Sequence, residues 1–349
     1  MKKKIAVVGY GGQGAWHTRQ IASSDAVELA GIFDISRDRC SLAEENGIRV
    51  YKSFEEILSS DAEIVVIATP NDSHKDLTIR ALEAGKHVIC EKPGELSLPA
   101  LDEMIAAADK SGRIFTVHHN RRFDVDFLAI KDIIASGEIG DTIRIESRVM
   151  GSRGIPSDWR CKKEYGGGMI YDWGVHLIDQ MLLLIPDNIA RVFCSLTHNT
   201  TKEVDDGFRL ELFFEGGKSA YIEMGTFNFI ALPRFYLQSS KGSALISDWR
   251  ENAQVARLKY WTENEALPVQ TAAGISKTMA PRDEITLDCY EAPRPNSDVH
   301  DFYRNFCAAV DGKADLAVTH RELRRNMKVM EAAFASASLG TPIDFDENK

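Results

Sequence analysis

Asp172 and His176 stand four residues apart and have the types and spacing of an acid–base pair. On a helix an i, i+4 step brings both side chains to one face. A carboxylate beside an imidazole can fix its tautomer and raise its basicity, and an unperturbed histidine titrates near ~6.5, within reach of a base at neutral pH. The same spacing also describes a solvated Asp–His pair on an amphipathic helix whose apolar side is Ile170, Leu177, Met181 and Leu184. Lys92 follows the apolar run His87–Cys90 and is flanked by Glu91 and Pro93. It reads either as a surface cation or as an ammonium that steadies a developing alkoxide. Pro93 removes a backbone donor and fixes the local chain, which leaves a cis Lys92–Pro93 bond open. A base, a cation and an orienting carboxylate are what loss of a hydride and a proton from a CH–OH carbon requires.

A hydride needs an acceptor, and the start of the chain suggests one. The apolar run Ile5–Val8 ends in Gly9-Tyr10-Gly11-Gly12-Gln13-Gly14, with the glycines spaced G-x-G-x-x-G. Gly9 permits a tight turn out of a strand. Gly11 lets the backbone approach a pyrophosphate, and Gly14 lets the following helix pack close to the sheet with its free amides aimed at the anion. Twenty residues beyond Gly14, the run Leu29–Phe33 ends in Asp34, placed to accept from a ribose 2′-hydroxyl. Alone the glycine spacing could be a structural turn. With a strand before it, a helix after it and the acid at that distance, it predicts a dinucleotide site. Asp34 favours NAD, while Arg37 and Arg39 nearby keep NADP open.

The elements that must carry these residues can be read from periodicity. Strands are predicted at Ile5–Val8, Glu28–Phe33, Glu63–Ala68, His87–Cys90 and Ile114–Val117, with helices such as His74–Ala84 and Leu98–Ala108 between them. Runs like Ile64-Val65-Val66-Ile67 suit strands covered on both faces, hence a parallel, doubly wound sheet. Ligands then lie at the strands' carboxyl ends. After Arg122 the rhythm changes. A helix at Phe127–Ala135, a strand at Thr142–Val149 and a long helix from about Met169 to Ile185 behind Gly166-Gly167-Gly168 are followed by strands at Phe208–Leu212, Ser219–Met224, Phe235–Gln238, Ala244–Ser247 and Val255–Tyr260. Gly216-Gly217 reads as a hairpin turn. Helices at Val299–Val310 and Arg321–Leu339 close the chain, the latter capped by Thr319 with Glu322. The fold class is therefore α/β plus α+β: a Rossmann domain at 1–121, then an α+β domain at 122–349 on an open, mostly antiparallel sheet. Segment 262–297 is Pro-rich and has no readable pattern.

Composition limits the alternatives. The chain has 349 residues, 44% hydrophobic and 27% charged, with a net charge of −10. That balance disfavours nucleic acid and anionic membranes as partners. Apolar runs fall short of the ~20 residues a bilayer span needs, and the Lys2-Lys3-Lys4 start lacks the apolar segment of a secretion signal. Six scattered cysteines form no C-x-x-C pair, so no metal site is expected, and a reducing cytoplasm is the expected location. Trp159-Arg160 and Tyr165 read as pocket or packing residues. His118 to Arg122 form a polar cluster from which one or two side chains reach the cleft, the rest being surface or hinge. Asp179 reads as a charge at the helix edge.

Taken together, Gly9-x-Gly11-x-x-Gly14, Ala68-Thr69-Pro70-Asn71 with His74, Glu91-Lys92-Pro93, and Gly166-Gly167-Gly168-Met-Ile-Tyr-Asp172-Trp-Gly174-Val-His176 resemble the Gfo/Idh/MocA oxidoreductases over nearly the whole chain. The resemblance implies a catalytic set of Lys92, Asp172 and His176, with His176 as acid/base. It implies a cofactor wall that runs from Gly9, Gly11, Gly12, Gln13, Gly14 and Asp34 through Thr69, Pro70, Asn71, His74, Glu91 and Lys92 to Asn120 at the nicotinamide end. On the substrate side, Arg122, Trp159 and Tyr165 would join the catalytic set. It implies a sugar, inositol or related polyol as substrate, C-terminal helices packed back on the first domain, and a homodimer or homotetramer through the C-terminal sheet. Two other functions stay in view: a glycosidase that oxidises its sugar transiently with bound NAD, and a non-catalytic cofactor sensor.

Overall fold

The computed structural model describes residues 2–259, 268–276, 282 and 284–347. Strands β1 (Lys3–Val8), β2 (Val27–Phe33), β3 (Ile64–Ile67), β4 (His87–Cys90) and β5 (Phe115–Val117) form one sheet in the order β2-β1-β3-β4-β5, and every pairing in it is parallel. Helices α1 (Gly12–Ser23), α2 (Arg37–Glu45), α3 (Phe54–Leu58), α4 (His74–Glu83) and α5 (Leu98–Ser111) make the crossovers. All four residues of β3 are fully buried, as the continuous apolar run predicts. Each such side chain contributes about 1.5–3 kcal/mol of burial energy.

Beyond α6 (Val125–Ser136) and β6 (Thr142–Met150) a π turn (Ile170–Gly174) leads into α7 (Val175–Leu184). Then come β7 (Ile189–Thr197), β8 (Gly207–Phe214), β9 (Ser219–Gly225), β10 (Phe235–Ser239), β11 (Gly242–Ile246), β12 (Ala253–Leu258), the small hairpin β13 (Val269–Thr271) and β14 (Gly274–Ser276), β15 (Leu287–Ala292), α8 (Asp301–Val310), α9 (His320–Leu339) and β16 (Ile343–Asp344). The second sheet runs β15-β12-β11-β10-β6-β9-β8-β7-β16; β6–β9 is parallel and its other pairings are antiparallel. Gly216 and Gly217, with φ of 82° and 93°, turn the chain between β8 and β9.

The sequence does not single out β7. Ile189-Ala190-Arg191-Val192-Phe193-Cys194 is apolar on both faces and lacks the strict alternation of a half-covered strand. β15 lies in the Pro-rich segment 262–297, whose sequence has no readable pattern; residues 262–267, 277–281 and 283 of that segment, and Tyr260, are outside the described residues. The expected single helix from Met169 is instead a π turn followed by α7. Among the described residues no helix is long and apolar enough to cross a membrane.

The C-terminal helices bind the first sheet's layer. Thr116 Oγ1 donates to Val318 O (2.9 Å), Tyr303 OH lies 2.6 Å from His17 Nδ1, and Leu98 N donates to Glu331 Oε1 (2.8 Å). The Thr319–Glu322 capping box forms at the start of α9 as its sequence predicts.

Candidate active site

The carboxyl ends of β1 and β3, where the strand order reverses, open onto a cavity of about 1030 Å³. The glycine-rich segment forms one end. Gly9 has φ +92°, and a Cβ there would stand 2.6 Å from Ala68 O at the end of β3. A Cβ on Gly14 would stand 1.9 Å from Gly9 O, so only glycine lets α1 lie this close to the strand. Gly11 and Gly12 face open space: a Cβ at either would meet nothing within 4 Å, and both line the cavity with Gln13. Among the described residues no side chain caps the start of α1. Bare amides at the positive end of a helix dipole beside an open cradle fit a pyrophosphate. Asp34 lines the same end, its carboxylate accepting from Tyr10 N (2.6 Å) and Ser36 N (2.8 Å). It could accept from a ribose hydroxyl. Arg39 also lines the cavity, and it is the cation a 2′-phosphate would meet.

Thr69, Pro70, Asn71 and Asn120 line the middle. Asn71 Nδ2 donates to Gly166 O (3.0 Å) and so joins this wall to the glycine run. His74 does not line the cavity. It is fully buried, with Nε2 3.0 Å from Thr69 O, and holds the corner from behind. Gly14 likewise acts by packing rather than by facing the cavity.

Glu91 lines the cavity but turns its carboxylate into a buried cluster. Oε1 accepts from Gln13 Nε2 (3.1 Å) and lies 2.8 Å from His17 Nε2 and 2.7 Å from His118 Nδ1. Burial alone would raise its pKa, but the contacts with His118 and His17 hold it well below the usual carboxylate range. The sequence shows no metal-ligand spacing, yet the fold brings His17, Glu91 and His118 within 4.8 Å of one another. At these distances both imidazoles bond directly to the Glu91 carboxylate, which is the centre of a hydrogen-bonded hub.

Lys92, at the end of β4, meets Asp172 across the cavity. Nζ lies 2.6 Å from Asp172 Oδ1 and 2.8 Å from Asp172 O, and the Lys92–Pro93 bond is cis. Arg160 Nε takes the other carboxylate oxygen at 3.2 Å. Burial pushes the Asp172 carboxyl up, but the two cations outweigh it and keep the group ionised. No Asp172–His176 hydrogen bond forms among the described residues, so the tautomer-fixing pair expected from i, i+4 spacing is replaced by a Lys92–Asp172–Arg160 chain. The π turn contributes to this, because Val175 N bonds to Ile170 O and the residues between are wound more widely than in an α-helix.

His176 lines the cavity and is 4% exposed, with its Nδ1 buried and without a hydrogen-bond partner among the described residues. Burial, then the charges of Lys92 and Arg121, push its pKa well below the ordinary 6.5. The imidazole is neutral at pH 7 and able to take a proton. The glycine run lets these groups approach. A Cβ on Gly167 would stand 2.3 Å from Arg160 O, and one on Gly168 2.3 Å from Asp205 Oδ1.

Of the expected substrate-side residues, Trp159 and Tyr165 line the cavity with Lys92, Asp172 and His176. Arg122 does not. Its guanidinium is buried in a two-pronged pair with Asp179 (2.7 and 2.6 Å) and also bonds Ala317 O and Glu322. Asp179 is thus a buried ion-pair partner and not a helix-edge charge. From the polar cluster, Asn120 and Arg121 reach the cavity, while His118 and His119 are buried instead of lying at the surface. The sequence offered Arg160 and Arg121 only within wider candidate groups and did not single out Trp173; all three line the cavity. Arg121 stacks on Trp173 at 4.1 Å, and Trp173 sits beside Asp172 in the chain, which was the available signal.

Comparison with known proteins agrees with this architecture. Residues 3–119 match the model of an oxidoreductase family with an NAD-binding Rossmann fold, GFO/IDH/MocA, and residues 127–245 match the GFO/IDH/MocA C-terminal domain. The chain is 28% identical over 344 residues, 96% of its own length and 93% of the other, to scyllo-inositol 2-dehydrogenase (NADP(+)) IolW of Bacillus subtilis. It is 32% identical over 227 residues, 62% of its length and 68% of the other, to the 1,5-anhydro-D-fructose reductase of Ensifer adhaerens. The crystal structure of an NAD-binding protein from Listeria innocua superimposes with a TM-score of 0.95 at 39% identity, covering 99% of each chain. Both halves of the fold and the dinucleotide cradle therefore lead to one conclusion: the chain is an NAD(P)-binding oxidoreductase that belongs to the GFO/IDH/MocA family.

Proposed function

We propose that the protein moves a hydride between the nicotinamide and a hydroxyl-bearing carbon of an uncharged polyol, a sugar or an inositol, with Lys92, Asp172 and His176 as its catalytic residues. The observation that carries this reading is the convergence of the Lys92 ammonium, the Asp172 carboxylate and the neutral His176 ring on the cavity that holds the dinucleotide cradle. Bound nicotinamide supplies the hydride acceptor in one direction and the donor in the other. His176 takes the hydroxyl proton as the C–H electron pair leaves, and returns it in the reverse reaction. Lys92 donates a hydrogen bond to the same oxygen and steadies its charge. Asp172 aims the ammonium and accepts from a neighbouring hydroxyl.

Charge balance supports the polyol. Each cation on the substrate side stands on a carboxylate: Lys92 on Asp172, Arg160 on Asp158 (2.8 Å) and Arg121 on Asp124 (2.9 Å). Such a wall offers paired donors and acceptors to hydroxyls and no free charge to an ionic group, and Trp159 and Trp173 add apolar faces. The names of the inositol dehydrogenase and anhydrofructose reductase relatives support the same class. A panel of inositols, aldoses and keto-sugars with NAD and NADP, read by absorbance of the reduced nicotinamide, tests it. Turnover of a polyol with net cofactor reduction is expected. Product formed from a glycoside with no net redox change would overturn it in favour of the glycosidase. The reading includes the division into two parts near residue 121 and a dimer or tetramer through the sheet face bearing Arg144, Glu146, Arg148 and Tyr221, checked by light scattering.

A further inference from the structure

One buried carboxylate close to the site takes no part in the chemistry above. Asp205, in the loop between β7 and β8, is 4% exposed. Its Oδ2 accepts from Ile170 N (2.8 Å), the first residue of the π turn, and its backbone oxygen accepts from Met169 N (3.1 Å). Its Oδ1 occupies the space a Cβ on Gly168 would need. Met169 and Ile170 are thus bonded by one residue 35 positions from Ile170, and Gly168 packs against the same carboxylate. The far side of the same turn is tied by Tyr171 OH, which donates to Leu96 O (3.0 Å), four residues after Lys92.

We propose that Asp205 is a positioning residue: by anchoring the Ile170 amide it sets the π turn and so the place of Asp172 and His176 relative to Lys92. The inference rests on the polyol dehydrogenase reading. Asp205 touches neither the cavity nor the cofactor cradle, so its effect passes through the turn alone. An amide end left without a partner would be free to wind the segment as ordinary α-helix. Asp172 would then be carried off the Lys92 ammonium, because in the π turn it is wound more widely. The charge is held at a cost. Burial pushes the carboxyl up to about 6 with only backbone amides and His198 to offset it, and the other titratable groups around it are Cys194 on β7 and Tyr171 on the turn. A carboxylate kept there against burial implies that its acceptor geometry matters more than its cost.

The test compares Asp205→Ala, Asp205→Asn and Gly168→Ala in the full chain. Two readouts are used: amide hydrogen exchange of residues 168–176, and steady-state kcat and KM on a polyol the wild type turns over. Asp205→Ala should exchange at least about tenfold faster in that segment and lose about tenfold or more in kcat, an effect typical of displaced catalytic geometry. Cofactor affinity should stay within about twofold. Asp205→Asn, which keeps an acceptor oxygen, should restore most of both. Gly168→Ala should mimic Asp205→Ala. An unchanged kcat in Asp205→Ala, or a loss that asparagine fails to rescue and that comes with equal loss of cofactor affinity, overturns the proposal. Failure of the wild type on every polyol would strike the dehydrogenase reading itself, before any variant is made, and the exchange data would still report on the anchor.

Discussion

The Asp172 carboxylate serves two cations at once, and this decides how the neighbouring imidazole behaves. With Oδ1 turned to Lys92 and Oδ2 to Arg160, Asp172 makes no hydrogen bond to His176 among the described residues and so does not make it more basic that way. Burial and the surrounding positive charge instead keep that ring neutral. A neutral imidazole is the form a base needs, and its low proton affinity favours prompt return of the proton in the reverse reaction. His176→Ala should therefore lower turnover by roughly 10²–10⁴-fold while cofactor affinity is kept. Steady-state rates with calorimetric NAD(H) binding check this, and unchanged turnover would remove His176 from the mechanism. At this scale the sequence named residues that the fold brings to one cavity and was a poor guide to how they pair. Arg160, twelve residues from Asp172, was legible only as a pocket or packing candidate.

Elements explain why glycine recurs where it does. Gly14 lets α1 contact the turn at Gly9, and the 1.9 Å clearance leaves no room for a methyl group against backbone. Gly14→Ala should push the start of α1 away from the cradle and cost at least about 1–3 kcal/mol, the range for forced overpacking. The expected result is a lower urea midpoint together with weaker cofactor binding. A variant with native stability and affinity would show that the helix need not pack this closely. The G-x-G-x-x-G spacing carried this geometry, since Gly9 and Gly14 answer local steric demands while Gly11 leaves the cradle open. The π turn was not legible, because no local residue preference distinguishes it from α-helix. Asp205, Leu96 and Asn326, which bonds Val175 O at 2.8 Å, hold it from outside.

Across the whole molecule, buried charge links the two sheets. Arg122 lies just after β5, Asp179 on α7 and Glu322 on α9, and their pairing fixes the helix that carries His176 against the cofactor-side sheet. Arg122→Met would leave the buried Asp179 carboxylate without its guanidinium, with only the more distant His119 ring (3.5 Å) beside it among the described residues, and should cost about 3–5 kcal/mol, read by chemical denaturation. A loss below about 1 kcal/mol would mean that water replaces the guanidinium. Asp205 adds a pH dependence of known sign. Its carboxyl is raised from the ordinary 3.8 to about 6, so its favourable contribution is present below about pH 4 and lost as pH rises through 6. Two units correspond to on the order of 3 kcal/mol. The stability of Asp205→Asn relative to wild type should grow by that order between pH 4 and pH 7, measured by urea unfolding at both. A flat difference would place Asp205 in contact with water.

The amino-acid sequence alone determined what local physics dictates: the parallel strands with their continuous apolar runs, the glycine cradle, the capped last helix, and the presence of Lys92, Asp172 and His176. Short-range sterics and the burial of apolar faces suffice for these, and they act wherever the chain goes. Only the tertiary structure decided that Arg122 is buried against Asp179 away from the cavity, that His74 is buried behind Thr69, and that Glu91 faces two histidines. Those outcomes depend on which distant partner satisfies a buried charge or donor. A side chain's neighbours 50 or 200 residues away leave no trace in its own stretch of sequence.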